Sequence, residues 1–291
     1  MKLAVIGKPI GHSLSPIIHT EFANELGIDI SYDAIEVNPE NFEKRVKTMF
    51  KDEGYYGLNV TLPLKHLAYK SAALVTEECG FAESANTLIK GMMHDDGMVP
   101  WEYIADTTDG KGFVEDIRKK GLKFEGLSLH EDIVIIGAGG SAMSIIPSIL
   151  EEYPSSLTII NRTKERAKKL KEKFSKHHTE IDILGPEDPL PLGLRPSFVI
   201  ICSSAGTLNE PLILPKNLFM CNPWVYDLAY SKGITPFNKM AKDSEVEFCF
   251  DGLGMLVNRA AESFYIWTGK RPSTDRVLSF LEDNLKLENI F

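Results

Sequence analysis

No apolar run in this 291-residue chain approaches the roughly 20 residues that a membrane helix requires. A basic surplus is missing too. The formal net charge of −9 and the pI near 5.4 argue against a general nucleic-acid binder, because phosphate contacts need a basic surface. Cysteine is scarce: Cys79, Cys202, Cys221 and Cys249 show neither the paired spacing of a zinc site nor a dense disulfide framework. We therefore expect no metal and a reducing, cytoplasmic setting. Internal repeats and low-complexity tracts are absent as well. The opening Met1-Lys2-Leu3-Ala4-Val5-Ile6-Gly7 begins as a secretory leader would, but Gly7 and Pro9 cut it short, and it reads as a buried first strand.

What is present is an ordinary globular composition, 43% hydrophobic and 25% charged, with length enough for two cores. Apolar patterning predicts strands at Lys2–Ile6, Ser31–Glu36 and Tyr56–Thr61, with helices at Ser15–Leu26, Pro39–Lys51 and Leu64–Ala73. Such alternation favours an open α/β sheet. The pattern weakens into a loop at Gly91–Trp101, and the first domain is expected to end near residue 110. A second α/β unit begins at Glu131, with strands at Asp132–Ile136, Leu157–Ile160, Ser197–Cys202, Val225–Leu228 and Val246–Phe250. Its helices are expected at Ser141–Glu152 and Lys164–Phe174, with a Pro/Gly-rich connection at Gly185–Pro196. Two final helices are expected at Gly254–Thr268 and Asp275–Lys286.

The second unit carries a strand, a glycine turn and a helix in succession, Ile133 to Ala142. Gly137 permits the tight turn, and Gly139 lets a pyrophosphate approach the backbone. The amides of Gly140, Ser141 and Ala142 open the helix, where free N–H groups meet negative charge, and Ala138 completes the turn. The competing reading is a plain tight turn. The next strand ends in Asn161-Arg162-Thr163, where an NAD-binding unit usually carries an acid for the ribose hydroxyls. Arginine instead offers a fork of donors to a 2′-phosphate, and Thr163 can add a hydroxyl. NADP is the expected cofactor. Against this, Arg162 would merely open a solvated basic helix with Lys164, Arg166, Lys168 and Lys169.

In the first unit, Asn59-Val60-Thr61-Leu62-Pro63-Leu64-Lys65 places an amide, a hydroxyl and an ammonium along an apolar run. Residues two apart share a strand face, so Asn59 and Thr61 can point into one cleft, with Lys65 entering the next element. These groups suit a small polyhydroxylated acid or its ketone. Upstream, Ser13 and Ser15 precede a helix with Pro16 near its start, a setting that can hold a carboxylate. The simpler reading makes Ser15 a helix cap. His12 reads as a packing or hydrogen-bonding residue and His66 as a surface neighbour.

Taken in order, GKPIGHSLSP at residues 7–16, NVTLPLK at 59–65, Ser84-Ala85-Asn86-Thr87 and Thr108-Asp109-Gly110 resemble the motifs of shikimate dehydrogenases. So do GAGGSA with Asn161-Arg162-Thr163, Asp227-Leu228-Ala229-Tyr230 and Gly252-Leu253-Gly254-Met255-Leu256, and the resemblance spans nearly the whole chain. It implies an α/β protein of two domains: a substrate domain at 1–110, joined by C-terminal helices 254–291 that return to it, and a Rossmann-like NADP-binding domain at 111–253. It also implies reversible reduction of 3-dehydroshikimate to shikimate, a step toward chorismate and the aromatic amino acids, by a cytoplasmic monomer or homodimer.

Carried over residue by residue, the resemblance assigns Ser13 and Ser15 to the substrate carboxylate and Thr61, Asn86 and Asp109 to its hydroxyls. Lys65 and Asp109 become the catalytic pair, Tyr230 a contact at the substrate end of the cleft, and Gly254 a backbone position near the nicotinamide. Three departures stand out. The family's Asn-Thr-Asp is Thr107-Thr108-Asp109 here, with extra residues around Pro100–Ile104 before it. Cys202 replaces an asparagine in a segment, Ile201–Gly206, that reads as shortened. Arg259 replaces a glutamine, exchanging a group that donates and accepts for one that only donates and always carries charge. Facing the cleft, it would bind substrate and shift preference toward a more acidic or more oxidised relative. Otherwise it turns outward or pairs with Asp109 or another acid. Two further functions stay open: a dehydrogenase of the same family acting on quinate, an aminated analogue or another cyclic polyol acid, and an NADP-binding sensor without turnover.

Overall fold

The structure is a computed structural model, and it describes residues 1–91, 103–122, 132–203, 213–231 and 233–287. The expected loop at 92–101, the residues just before Tyr103, the start at Glu131 and the segment 204–206 lie outside the described residues. The chain divides into two compact units: Met1–Phe113 with Leu256–Leu281, and Val114–Met255 with Glu282–Phe291.

The first unit begins β1 (Lys2–Gly7), α1 (Ser15–Leu26), β2 (Ser31–Glu36), α2 (Phe42–Lys51), β3 (Tyr55–Val60) and α3 (Lys65–Lys70). It continues β4 (Leu74–Val75), α4 (Glu77–Ala82), β5 (Thr87–Lys90), β6 (Tyr103–Asp106) and α5 (Asp109–Lys119). Its six strands, among the described residues, run in the order β2-β1-β3-β5-β6-β4. β1 pairs in parallel with β2 and β3, whereas β5 is antiparallel to both β3 and β6. One face of this sheet packs Ala4, Ile6, Leu58, Val60 and Leu88 against Phe42, Val46, Met49 and Phe50 of α2. Pro39 starts a separate short 3-10 turn, Pro39–Asn41, ahead of α2, so the helix predicted from Pro39 begins three residues late. The predicted Leu64–Ala73 helix shortens to α3, and at its end the Ser71 hydroxyl donates back to the Leu67 carbonyl at 2.6 Å.

The second unit holds β7 (Asp132–Ile136), α6 (Gly140–Leu150), β8 (Ser156–Ile160), α7 (Lys164–Lys173), β9 (Glu180–Leu184), β10 (Pro196–Ile201), β11 (Trp224–Asp227), α8 (Pro236–Asp243) and β12 (Cys249–Phe250). Two helices follow, α9 (Leu253–Thr268) and α10 (Asp275–Leu287). Its strands lie all parallel in the order β12-β11-β10-β7-β8-β9, a doubly wound sheet whose order reverses between β7 and β10. Ligands of such sheets bind at the carboxyl ends of strands flanking the reversal. The strand predicted at Val246–Phe250 is reduced to Cys249–Phe250: Val246 is buried with Phe237 and Ala241 of α8 and joins the core instead of the sheet.

Candidate active site

Within the first unit, Lys65 opens α3 five residues past the end of β3, and Asp109 opens α5. The β3-β5-β6 order carries these two helix starts together. The Lys65 Nζ lies 2.5 Å from Asp109 Oδ2, although the residues are 44 apart in sequence. Arg259 of α9 closes on the other oxygen, Nη1 to Oδ1 at 2.7 Å. The Asn86 amide also donates to Oδ1, at 2.9 Å. Asp109 is almost wholly buried at 3% side-chain exposure, while Lys65 and Arg259 keep 19% and 26%. The cluster therefore carries one anion and two cations, a net positive charge partly open to solvent.

The ionisation of each group follows from that grouping. Burial alone would raise the Asp109 carboxyl, but the charges and hydrogen bonds of Lys65 and Arg259 outweigh it and hold it well below the usual carboxylate range. Burial pulls Lys65 below its ordinary value; Asp109 opposes that pull and Arg259 adds to it.

Behind the cluster stands a polar layer that sequence reading missed in part. Asn86 spends its amide on Thr108 Oγ1 and Asp109, and its carbonyl oxygen accepts from Thr87 and from the Thr108 backbone. Asn59 donates to the Asn86 backbone carbonyl at 3.1 Å and to Ser263 Oγ at 3.0 Å, and accepts from the Tyr32 hydroxyl at 2.6 Å. Asn59 is thus a brace inside the unit, a supporting residue behind the site. The Tyr32 phenol also lies near the Ser15 hydroxyl and in the field of Arg259; burial pushes it up more than these lower it. Its ring stacks on His19 at 4.4 Å. Ser263 was legible as one turn beyond Arg259 on the same helix face. Tyr32 left no signal in the sequence.

The remaining candidates in this unit are placed as follows. Ser13 is half-buried, and its hydroxyl accepts from the Ser15 backbone N–H at 3.3 Å. The helix cap is Leu14, not Ser15. Thr61 is half-buried, with its methyl pressed on Gly7 so closely that a side chain there would collide. His12 is exposed instead of packed, and His66 is exposed with Nδ1 3.0 Å from the Glu83 carbonyl.

In the second unit, the glycine turn leaves the carboxyl end of β7 beside the strand-order reversal. Gly137 has φ +109°, a region that favours glycine, and an added Cβ would lie 2.9 Å from the Cys202 backbone carbon beyond β10. Gly139 caps α6 with no side-chain hydrogen bond; Gly139, Gly140 and Ser141 are exposed, while Ala142 is fully buried. A Cβ on Gly139 or Gly140 would meet open space. The start of α6 therefore presents backbone donors outward, as an anion site requires. The Asn161 carbonyl oxygen accepts from the Ala138 N–H at 3.0 Å, and its amide donates to the Thr163 carbonyl at 2.7 Å. Arg162 and Thr163 are exposed at the start of α7, and Tyr230 is exposed beyond β11.

Gly254 is buried against Asp116, whose carboxylate occupies the space a side chain would need. Asp116 accepts from the Tyr226 hydroxyl at 2.6 Å and from Lys120 through both oxygens at 2.7 Å. The Tyr226 oxygen accepts in turn from the Met255 N–H at 3.3 Å. Among the described residues no cluster of histidine, cysteine and acids suits a metal ion, and no helix is long and apolar enough to cross a membrane.

Three family models match the chain. These are the Shikimate dehydrogenase substrate binding domain over residues 5–88, Shikimate / quinate 5-dehydrogenase over 122–219, and the Shikimate 5'-dehydrogenase C-terminal domain over 252–279. A shikimate dehydrogenase (NADP(+)) of Vibrio campbellii is 40% identical over 287 residues, covering 98% of this chain and 97% of its own. Among solved structures, an Ael1 enzyme from Pseudomonas putida is 34% identical with a TM-score of 0.83, over 96% of this chain and 97% of that one. Shikimate 5-dehydrogenase from Thermus thermophilus, in complex with NADP(H) and shikimate, is 25% identical with a TM-score of 0.78, over 98% and 99%.

Proposed function

Because the chain belongs to the shikimate dehydrogenase family, we propose that it interconverts 3-dehydroshikimate and shikimate with NADP, a step of aromatic amino acid biosynthesis. The observation that carries the reading to this chain's own residues is the buried Lys65–Asp109 pair at 2.5 Å, held at a net positive, partly open cluster. Such a cluster suits a ketone whose oxygen gains negative charge as it is reduced.

In this proposal Ser13 and Ser15 hold the ring carboxylate, Thr61 and Asp109 meet its hydroxyls, Asn86 meets them by exchanging one of its present partners, and Tyr230 and Arg259 complete the substrate contacts. Lys65 polarises the carbonyl and hands a proton to the developing alkoxide, while Asp109 orients the ammonium and the reacting hydroxyl. In the opposite direction Lys65 takes that proton back. The outward amides and open space at the start of α6 fit a dinucleotide. Gly137, Ala138, Gly139, Gly140, Ser141 and Ala142 would hold its pyrophosphate, with Asn161 bracing the turn. Arg162 and Thr163 would take the 2′-phosphate, and Gly254 would lie by the nicotinamide. When bound, NADP supplies or accepts the hydride, which no side chain can do.

We assign residues 1–110 with 254–291 to the substrate domain and 111–253 to the NADP domain, in a monomer or homodimer acting in the cytoplasm. Steady-state oxidation of shikimate and quinate, each with NADP and NAD, tests the function. Turnover fastest with shikimate and NADP supports it; absence of turnover on shikimate overturns it.

A further inference from the structure

We propose that Arg259 is a positioning residue of the reaction: by taking one oxygen of Asp109 it converts the Lys65–Asp109 pair into a fixed triad in which Asp109 remains an anion and Lys65 alone exchanges the proton with substrate. This rests on the catalytic roles assigned above to Lys65 and Asp109. A carboxylate oxygen has two lone pairs to direct at donors. On Asp109 Oδ1 both are committed, to Arg259 at 2.7 Å and to Asn86 at 2.9 Å. On Oδ2 one is committed to Lys65 at 2.5 Å. One acceptor position is left for a substrate hydroxyl, and it shares an atom with the Lys65 contact.

The backbone holds Arg259 where this division requires it. The Arg259 carbonyl accepts from Thr108 Oγ1 at 2.9 Å and from Ser263 Oγ at 3.1 Å. Gly112 leaves no gap on the other side: a Cβ there would lie 2.5 Å from the Arg259 backbone nitrogen. Arginine does not give up its proton, so of the three charged groups only Lys65 and Asp109 can titrate. Two cations on Asp109 leave that role to Lys65.

The groups facing Lys65 are Asp109 from α5 and Arg259 from α9. Tyr32 from β2 faces Arg259, and His19 of α1, stacked behind Tyr32, is pulled to about 3 by burial and stays neutral. His66, on the same helix as Lys65, is exposed and engages the Glu83 carbonyl. Arg259 pulls the Lys65 ammonium down, so removing its charge should let Lys65 rise. Shikimate oxidation needs neutral Lys65 as proton acceptor, and its pH profile should then move to higher pH.

The test compares the full-length parent with Arg259→Gln and Arg259→Lys. The readouts are the pH profile of kcat/KM for shikimate oxidation with NADP and, independently of turnover, the pH dependence of Lys65 acetylation by acetic anhydride, read by mass spectrometry. Arg259→Gln should move both curves upward by about one pH unit, a tenfold loss at a fixed pH below the limb. Arg259→Lys should leave the labelling curve near that of the parent, because the charge survives, while kcat falls several-fold because a shorter, strongly hydrated ammonium does not hold Oδ1 as the guanidinium Nη1 does. Unmoved labelling in a folded Arg259→Gln protein overturns the proposal and leaves Arg259 a substrate contact at most. If Arg259→Gln fails to fold, an Arg259→Lys protein with unchanged kcat overturns it. A shifted labelling curve in a protein that does not turn over shikimate upholds the triad and rejects the functional reading instead.

Discussion

In the first unit the groups that would meet a substrate are side chains, brought from α1, α3, α5 and α9 and from the connections between them. In the second, the groups that would meet a cofactor are mainly backbone amides of a single turn, Gly137 to Ala142. The two units also treat a buried aspartate in opposite ways. Asp109 lies between two cations that hold it ionised. Asp227, at the end of β11, is buried, and burial with the nearby Asp251 pushes it up to about 6 despite a hydrogen bond from the Ala229 N–H. A side-chain site needs its charges fixed by other charges, whereas a backbone site works through dipoles and tolerates a carboxyl that titrates nearby.

The largest test of this contrast is Lys65→Ala. We expect kcat to fall about 10²–10⁴-fold with NADP affinity unchanged by fluorescence titration, since the chemistry would sit in one unit and the cofactor turn in the other. Near-normal turnover would remove Lys65 from the mechanism. Next comes Arg162→Ala, which should weaken NADP by about 1.5–3 kcal/mol while leaving NAD nearly unchanged. Equal losses for both cofactors would return Arg162 to the role of a solvated helix opener.

The aspartates yield a pH test of opposite sign. Asp109 is lowered in the fold, so its stabilisation is full above the ordinary carboxylate range and is lost as pH falls below that range toward the lowered value. Asp227 is raised from 3.8 to about 6, so its contribution is full below about 4 and lost as pH rises toward 6. Measured against the parent, the melting difference for Asp227→Asn should therefore change between about pH 4 and 6, and that for Asp109→Asn only below about pH 4, with opposite sign. Parallel curves would refute the distinction. The smallest effect is expected from Tyr226→Phe. It strips the hydroxyl linking Asp116 to the Met255 N–H and should cost about 1–2 kcal/mol in a denaturant melt.

The same contrast explains what could be read in advance. A turn such as Gly137–Ala142 is contiguous, so strand, glycines and helix announce it together. Strands with unbroken apolar runs, such as Asp132–Ile136, were equally plain. Shorter elements were not: β4 has two residues, and the antiparallel β5 and β6 flank a stretch with no clear period. For the side-chain site, residue types and resemblance pointed to Lys65, Asn86 and Asp109, but the sheet order alone makes them neighbours. The grip of Arg259 on Asp109 spans 150 residues; it was one of the alternatives the residue types left open, but no periodic signature selected it. Tyr32 and Thr108 escaped altogether, since their roles exist only once β2, α5 and α9 are assembled.

Asn161 sets a rule for anyone wishing to recode this protein for a different cofactor. One amide spans from the Ala138 N–H to the Thr163 carbonyl and fastens the glycine turn to the loop that carries Arg162. Grafting a foreign sequence across 161–163 as a block would slacken the grip on every dinucleotide at once, whatever its ribose bears. A successful redesign would edit Arg162 and Thr163 around an untouched Asn161.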